Sequence, residues 1–156
     1  MTHKEPKFAP KIALYQPDIP QNTASIIRTC SCLGIMLEII EPCGFIINDR
    51  KFKRVVMDYY DARNIQFYKS QEDFFFNKRN TRIILMTTKA KKEYTDFSFQ
   101  KNDTLLFGRE SAGVPIEIHN RVKYSLKIPM IKNKRSLNLS TSVSIVLSEN
   151  LRQIKN

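Results

Sequence analysis

Glycine is scarce in this chain, with four residues among 156. Neither of the two common phosphate-binding loops, GxGxxG and GxxxxGK(S/T), occurs, so the sequence disfavours a dinucleotide-binding oxidoreductase and a phosphate-loop protein. This scarcity makes the position of each glycine informative. Gly108 and Gly113 lie in one short segment, where each can adopt a positive φ or let a ligand approach the backbone.

Cysteine and histidine are also few. The cysteines Cys30, Cys32 and Cys43 are odd in number and lack CxxC spacing, and only His3 and His119 could complete a metal site. The sequence therefore predicts neither disulfide bonds nor a structural metal. No apolar run approaches the roughly 18 residues that span a bilayer, and the charged N-terminal stretch lacks the apolar centre of a signal peptide. We expect a cytoplasmic protein.

Acidic residues are outnumbered, with 15 Asp and Glu against 26 Lys and Arg, which gives a net charge of +11. A globular chain this basic often binds a polyanion, and nucleic acid is the leading class of partner. The alternative is that the basic residues only solvate the surface. A length of 156 residues and a hydrophobic content of 42% are sufficient for a single domain with its own core.

Short apolar runs alternate with amphipathic segments along the chain and predict six strands. The predicted strands cover residues 11–15, 35–40, 65–68, 82–87, 104–107 and 125–128. Helices are predicted from an Asn22 cap to Gly34, over 49–60, after a Ser70 cap, after Pro115, and over 139–153. This βαβ alternation predicts an α/β fold with a mainly parallel sheet and helices on both faces.

Three separated polar segments each follow directly after an apolar run. They are residues 17–23 with Arg28 downstream, residues 107–115, and residues 128–130 with 135–140. Open α/β sheets build ligand sites beyond the ends of their strands, so the three segments together predict one shared site. Taken alone, segment 107–115 is equally explained as an ordinary strand-to-helix turn.

These segments resemble motif 1 (17–28), motif 2 (107–115) and motif 3 (128–140) of the SpoU-type SPOUT RNA 2′-O-methyltransferases. The small size and the pattern LYxPxIPxNT…R, FGxE…GxP, IPM…RSxNLS…E are most similar to the TrmL branch, which methylates the wobble ribose of the tRNA anticodon. The resemblance implies S-adenosyl-L-methionine as methyl donor and one SPOUT domain over residues 1–156, without an appended RNA-binding domain. It further implies a deep C-terminal trefoil knot and a homodimer with the active site at its interface.

The resemblance also implies which residues form the site. The polar constellation near the reacting centre would be Arg28, Asn22, Glu110, Ser136 and Asn138. The residues lining the cofactor would be Met86, Thr87, Gly108, Glu110, Ile128, Met130, Ser136 and Leu137. The chemistry is an in-line displacement at a sulfonium methyl group by a ribose hydroxyl, which needs positioning and proton removal but no metal.

Two roles are possible for Arg28 in the reaction. A free guanidinium is a poor base, with a pKa above about 12, so its own chemistry favours orienting ribose or phosphate. Some family mechanisms instead make the corresponding arginine the proton acceptor. If the family is ignored, Arg28 could simply face solvent or pair with Asp18.

Other site residues also have structural explanations. Asn22 could be only a helix cap, and either Asn138 or Ser140 is expected to cap the last helix. Glu110 could form an ion pair with the adjacent Arg109, or it could orient Arg28 across the site. For the apolar pair Ile128 and Met130 taken alone, core packing is the simpler explanation.

Candidate contacts to RNA phosphates are Lys11, Lys132, Lys134 and Arg135. The cluster 132–135, directly before Ser136, is the one expected to guide RNA, whereas the basic segment 50–54 is also explained as a solvated helix face. The apolar residues of the last helix are expected to form core or dimer contacts.

The chain departs from the family pattern at a few positions. Residues 109–113 replace the usual Pro-Glu-Thr-Arg-Gly of motif 2, Ala24 stands where a glycine is common, and Ser148 stands where many TrmL-branch members carry a tyrosine. The same-class alternative is methylation of another tRNA or rRNA ribose. A catalytically silent RNA-binding protein is a second alternative, but its expected sign, the loss of Arg28, Asn22 or Glu110, is not seen.

Overall fold

The computed structural model describes residues 9–47 and 50–155. Six strands form one sheet: β1 Lys11–Tyr15, β2 Met36–Ile40, β3 Ile65–Tyr68, β4 Ile83–Met86, β5 Thr104–Phe107 and β6 Tyr124–Leu126. Every pairing in the sheet is parallel, and the strand order is β3-β2-β1-β5-β4-β6. Five helices connect and flank the strands: α1 Pro20–Leu33, α2 Arg50–Val56, α3 Gln71–Asn77, α4 Ile116–Arg121 and α5 Leu139–Ile154. None of the described helices is both long and apolar enough to cross a membrane.

The predicted parallel sheet with helices on both faces is confirmed. Neighbouring residues of β1 point to opposite sides, with Ile12 and Leu14 in one core and Ala13 and Tyr15 in the other. Helices α1, α2 and α5 cover the first face, and α3 and α4 cover the second. Because both faces are buried, the strands are almost continuously apolar, as parallel strands usually are.

Strand bounds agree closely with the sequence prediction. The strands 11–15, 65–68 and 104–107 have the predicted bounds, and the other three differ by one or two residues at an end. Helix α2 is shorter than the predicted 49–60 and continues as a 3-10 turn, Met57–Tyr59, while Asp49 lies outside the described residues. Gly34 ends α1 with a φ of 67°, and the Ser70 hydroxyl accepts from the backbone N–H of Asp73, so both predicted caps are confirmed.

The prediction that Asn22 caps α1 is wrong. The helix begins at Pro20, with Ile19 as its N-cap, and Asn22 is buried within the first turn. Proline favours the first helical position because its fixed φ suits the helix and it has no backbone N–H to leave unpaired. This shift frees the Asn22 side chain from capping, so that it can make tertiary contacts.

A buried ion pair lies on the second face of the sheet. Lys78 Nζ lies 2.5 Å from Glu38 Oε1, and the two side chains are 5% and 1% exposed. Burial lowers the pKa of Lys78, while the Glu38 carboxylate acts in the opposite direction. Buried charges of this kind are tolerated in a core because they are paired with each other. The contact also joins the end of α3 to β2.

Helix α5 packs against α1 and directs Val143, Val146 and Leu147 into the first core. Leu139 and Leu151, half-buried, pack against the same cluster. Core packing, one of the two roles that the sequence allowed for this apolar set, is therefore present in the structure. The more exposed face of α5 carries serines and a threonine.

Asn150 is the exception on the buried face of α5. It is fully buried, and neither its Nδ2 nor its Oδ1 has a hydrogen-bond partner within the described ranges. Unpaired polar groups of this kind cost about 1–3 kcal/mol. We expect Asn150→Ala to raise the free energy of unfolding by about 1 kcal/mol, since it removes that cost and improves helix propensity at the expense of a small cavity. Urea unfolding measures the change.

The control for this prediction is the amide of Gln153, one turn further along α5. Its Oε1 accepts from the backbone N–H of Phe99 at 2.8 Å, and its Nε2 donates to the carbonyl of Phe97 at 3.0 Å. We expect Gln153→Ala to lower the free energy of unfolding by about 1 kcal/mol or more, because both backbone groups lose a partner. A destabilised Asn150→Ala protein would contradict the first prediction.

Candidate active site

The carboxyl ends of β4, β5 and β6 open into a cleft with a volume of about 550 Å³. Its walls come from the loops that follow these three strands and from the segment that leads into α5. The structure brings together in this cleft every residue predicted to line a cofactor: Met86, Thr87, Gly108, Glu110, Ile128, Met130, Ser136 and Leu137. A cleft of this size is in the range that binds small ligands and cofactors.

The motif 2 loop closes on itself at the floor of this cleft. The backbone N–H of Arg109 donates to the Gly113 carbonyl at 3.1 Å, and the N–H of Gly113 donates back to the Arg109 carbonyl at 2.8 Å. Gly113 has a φ of 66°, and a Cβ built on Gly108 would lie 2.6 Å from the carbonyl carbon and Cα of Gly113. Both glycines are thus required, one by backbone conformation and the other by close approach.

A chain of hydrogen bonds joins the three motifs. Asn138 caps α5, because its Oδ1 accepts from the backbone N–H of Thr141 at 3.2 Å. Its Nδ2 then donates to Asn22 Oδ1 at 2.9 Å, and Asn22 Nδ2 donates to Glu110 Oε1 at 3.4 Å. Because the backbone N–H of Thr141 requires an oxygen, it fixes which way the Asn138 amide faces, and Asn138 in turn fixes the Asn22 amide. Glu110 therefore receives an N–H donor from motif 1. The shared site predicted from the three segments is present in the structure.

Of the two candidate caps, Asn138 rather than Ser140 caps the helix. The Ser140 hydroxyl instead donates to the Ser25 hydroxyl on α1 at 2.7 Å. This contact joins the beginning of α5 to the exposed side of α1.

Glu110 is where motifs 1 and 2 meet. Its Oε2 accepts from the backbone N–H of Asp18 at 2.9 Å, in addition to the Asn22 amide on Oε1. Burial raises the pKa of the Glu110 carboxyl, and a hydrogen bond with the Asp18 side chain raises it further. The Glu110–Arg109 ion pair that the sequence allowed is not formed among the described residues; Arg109 Nε lies 3.8 Å from Asp18 Oδ2 instead.

Arg28 is the one member of the predicted polar constellation that is not among the described residues lining the cleft. It lies on the exposed side of α1, with its guanidinium 4.8 Å from the centre of the Tyr59 ring. Neither pairing considered from the sequence, with Asp18 or with Glu110, is formed in the part of the chain that the structure describes. Of the alternatives for Arg28 alone, the structure shows the solvent-facing one.

The predicted RNA-contacting residues separate into two groups. Arg135 lines the cleft, and Lys132 and Lys134 are exposed on the loop that leads to it. Lys11 lies at the amino end of β1, where its backbone N–H donates to the carbonyl of Asp103, at the opposite edge of the sheet. The cleft lies at the carboxyl ends of the parallel strands, whereas Lys11 lies at their amino ends. Lys11 therefore does not belong to the basic surface beside the cleft.

Sequence reasoning missed several residues of the cleft wall, among them Thr88, His119 and Ser142. Burial lowers the pKa of His119, and the nearby Lys89 lowers it further, so both effects favour the neutral imidazole. His119 lies four residues, about one helical turn, after Pro115 at the start of α4. This spacing could have predicted that His119 lies on the side of α4 that faces the motif 2 loop. Within residues 9–47 and 50–155, no group of His, Cys, Asp and Glu forms a metal-binding cluster.

Comparison with known proteins gives consistent matches. The SpoU rRNA Methylase family model matches residues 9–148. A tRNA (cytidine(34)-2′-O)-methyltransferase from Beijerinckia indica subsp. indica is 46% identical over 145 residues, which cover 92% of this chain and 91% of that protein.

Two solved structures are similar as well. A structure from work on the 2-OH methylation of C/U34 on tRNA has a TM-score of 0.89 and 35% identity, covering 95% of this chain and 97% of that one. The SpoU methyltransferase AviRb from Streptomyces viridochromogenes, in complex with the cofactor AdoMet, has a TM-score of 0.82 at 24% identity, covering 99% of this chain and 64% of that one. At that identity, the second similarity shows the fold alone.

Proposed function

Because this chain belongs to the SpoU rRNA methylase family, we propose that it transfers the methyl group of S-adenosyl-L-methionine to a ribose 2′-hydroxyl of tRNA, at the wobble nucleotide of the anticodon. The observation that carries the proposal is the hydrogen-bonded chain from Asn138 through Asn22 to Glu110, which gathers the three motifs around one cleft. The cytoplasm, where tRNA is available, is the proposed location.

The residues that line the cleft are chemically suited to bind the methyl donor. Ile128, Met130 and Leu137 offer apolar surface for an adenine ring, beside main chain that can hydrogen-bond its edges. Gly108 and Gly113 keep the floor free of side chains, so that a ligand can approach the backbone. When bound, S-adenosyl-L-methionine supplies a methyl group made electrophilic by its sulfonium sulfur.

The residues of this chain position the nucleophile. The hydroxyl of Ser136 and the amides of Asn22 and Asn138 present donors and acceptors where motif 3 meets motif 1, suited to orienting a ribose. Arg28 is proposed to orient the ribose or its phosphate, in keeping with a guanidinium that stays protonated. The 2′-oxygen forms a bond to the methyl carbon as the carbon–sulfur bond breaks, and the hydroxyl proton leaves to an acceptor or to water.

A homodimer with the cleft at its interface is part of the proposal. Ile19 and Leu137 both line the cleft and stay 41% and 39% exposed, which leaves an apolar rim for a second copy to cover. Such a partner would also explain how Arg28, exposed on α1, reaches a reacting centre. The C-terminal trefoil knot and the single-domain organisation stay predictions of the family resemblance.

The direct test is transfer of labelled methyl from S-adenosyl-L-methionine to unmodified tRNA and rRNA, followed by mapping of the labelled nucleotide. We expect a 2′-O-methyl group at the wobble ribose. Label at another ribose would keep the chemistry and overturn the substrate. Absence of cofactor binding would overturn the proposal as a whole.

Lys134 provides a separate test of the RNA surface. It is exposed on the loop that leads to the cleft, and we expect Lys134→Ala to weaken tRNA binding and to reduce the slope of log affinity against log salt by about one unit. Filter binding over a series of salt concentrations measures the slope. Lys11→Ala is the control, since Lys11 lies at the opposite edge of the sheet and should leave the slope unchanged. Equal slopes for both variants would remove Lys134 from the phosphate contacts.

A further inference from the structure

Asp18 in motif 1 contacts three consecutive residues of the motif 2 loop. Its backbone N–H donates to Glu110 Oε2 at 2.9 Å. Its Oδ2 accepts a hydrogen bond from the Ser111 hydroxyl and lies 3.8 Å from Arg109 Nε. The same Arg109 Nε donates to the carbonyl of Gln16 at 3.2 Å, so a second residue of the segment after β1 also holds the loop.

The backbone around Asp18 is itself held in place. The N–H of Gly44, in the loop after β2, donates to the Pro17 carbonyl at 2.9 Å. A Cβ on Gly44 would lie 2.7 Å from the Cβ of Asp18, so this loop packs directly behind the residue. Gln16, directly after β1, has a φ of 41°, and its N–H donates to the Ile40 carbonyl. Asp18 therefore cannot move away without disturbing two neighbouring segments.

The two carboxyl groups are electrostatically linked. Interaction of its carboxyl with the Glu110 side chain lowers the pKa of Asp18, and the Ser111 hydroxyl and Arg109 act in the same direction. The pKa of Glu110 is raised by burial and by the interaction with the Asp18 side chain, so the two carboxyl groups titrate as a pair. Among the other groups facing the pair, Cys43 has its pKa raised by burial to about 12 and stays neutral, while Glu41 adds a negative charge next to it.

We propose that Asp18 is a positioning residue: its backbone N–H and carboxylate hold Glu110 and Ser111 so that the motif 2 loop keeps the shape of the cofactor cleft. Strand order makes this possible, because β1 and β5 are adjacent and their carboxyl ends deliver motifs 1 and 2 to the same place. Asp18 is not among the described residues lining the cleft, whereas Glu110, Ser111 and Arg109 are. Its effect on the ligand is therefore indirect.

The inference rests on the proposed function for the identity of the ligand, and the test compares three variants of the full chain. Calorimetry measures the Kd for S-adenosyl-L-methionine, and carboxyl-carbon NMR measures the pKa of Glu110. We expect Asp18→Ala to raise the Kd about 10-fold, the scale of a lost charge-assisted hydrogen bond. Both variants keep the backbone N–H, but Asp18→Asn also keeps an oxygen that can accept from Ser111, so it should bind within about 3-fold of the original chain.

The pKa of Glu110 separates positioning from mere stability. In Asp18→Asn the negative partner is lost while burial remains, so the pKa of Glu110 should fall toward its ordinary value, and any pH dependence of cofactor binding from Glu110 should move to lower pH. Ser111→Ala removes the hydroxyl donor from an exposed residue without touching Asp18, and we expect it to raise the Kd about 3-fold or more. Asp61→Ala, which removes an exposed carboxylate paired with Arg63, should change neither quantity.

The proposal is overturned if Asp18→Ala, or Ser111→Ala should the first variant not fold, binds the cofactor as the original chain does. It is also overturned if Asp18→Asn loses as much affinity as Asp18→Ala, or if the pKa of Glu110 does not move. Methyl transfer to tRNA by the original chain is measured in parallel. An original chain that binds the cofactor but methylates no RNA contradicts the proposed function and leaves the effect of Asp18 on the Kd measurable.

Discussion

Replacing Arg28 with alanine is expected to lower the rate of methyl transfer at least about 100-fold, while the Kd for S-adenosyl-L-methionine stays unchanged. Loss of a positioned group that acts on the reacting hydroxyl or its phosphate costs on this scale. Cofactor binding should be spared, because Arg28 is exposed on α1 and is not among the described residues lining the cleft. Single-turnover transfer to tRNA and calorimetry of cofactor binding measure the two effects.

Arg54→Ala is the matched control, since Arg54 is also an exposed arginine on a helix of the same face of the sheet. Arg28→Lys keeps the positive charge but loses the planar fork, and it should recover part of the rate if charge alone matters. Near-normal turnover of Arg28→Ala would remove the residue from the mechanism and leave its contact with Tyr59 as its role.

Gly108→Ala is expected to raise the Kd for S-adenosyl-L-methionine about 100-fold or more. The added Cβ would lie 2.6 Å from two backbone atoms of Gly113 and 3.0 Å from the N of Val114, so the loop must open. Opening breaks the reciprocal hydrogen bonds between Arg109 and Gly113 that shape the cleft floor. Calorimetry measures the affinity, and thermal unfolding measures any accompanying loss of stability.

Gly34→Ala is the matched glycine control. Gly34 has a φ of 67° at the end of α1, and a Cβ there would meet nothing within 4 Å. We expect a loss of about 1 kcal/mol in the free energy of unfolding from the left-handed conformation, with cofactor affinity unchanged. If Gly108→Ala bound the cofactor as tightly as Gly34→Ala, the close approach at Gly108 would not shape the site.

Together, the Arg28 and Gly108 variants also test the proposed homodimer. The Arg28→Ala chain keeps an intact cleft, and the Gly108→Ala chain keeps Arg28. If one copy supplies the cleft and its partner supplies the arginine, co-expression of the two chains should give mixed dimers with one working site. Methyl transfer that stays at the level of the separate variants would contradict a site built from two copies.

Local features of the fold were predictable from the sequence because their causes are local. The apolar run 104–107, between amphipathic segments, specifies β5. The helix cap at Ser70 and the helix end at Gly34 each depend on a few neighbouring residues. One local error, Asn22 as a cap, came from giving a side-chain preference more weight than the fixed φ of Pro20. The three polar segments predicted one shared site, and the family resemblance implied that Asn22, Glu110 and Asn138 belong to it; the structure brings these three residues together.

The sequence by itself thus determined the strands, most caps, the basic charge and the three motifs, since periodicity, propensity and composition act over a few residues. Only the tertiary structure decided that Asp18 contacts Glu110 and Ser111, that Lys11 lies at the far edge of the sheet, and that Arg28 lies outside the cleft. Asp18 and Glu110 are 92 positions apart, and they meet because β1 is adjacent to β5 in the strand order β3-β2-β1-β5-β4-β6. The order of the strands depends on how the whole sheet packs against its helices, and no local pattern in the chain encodes it.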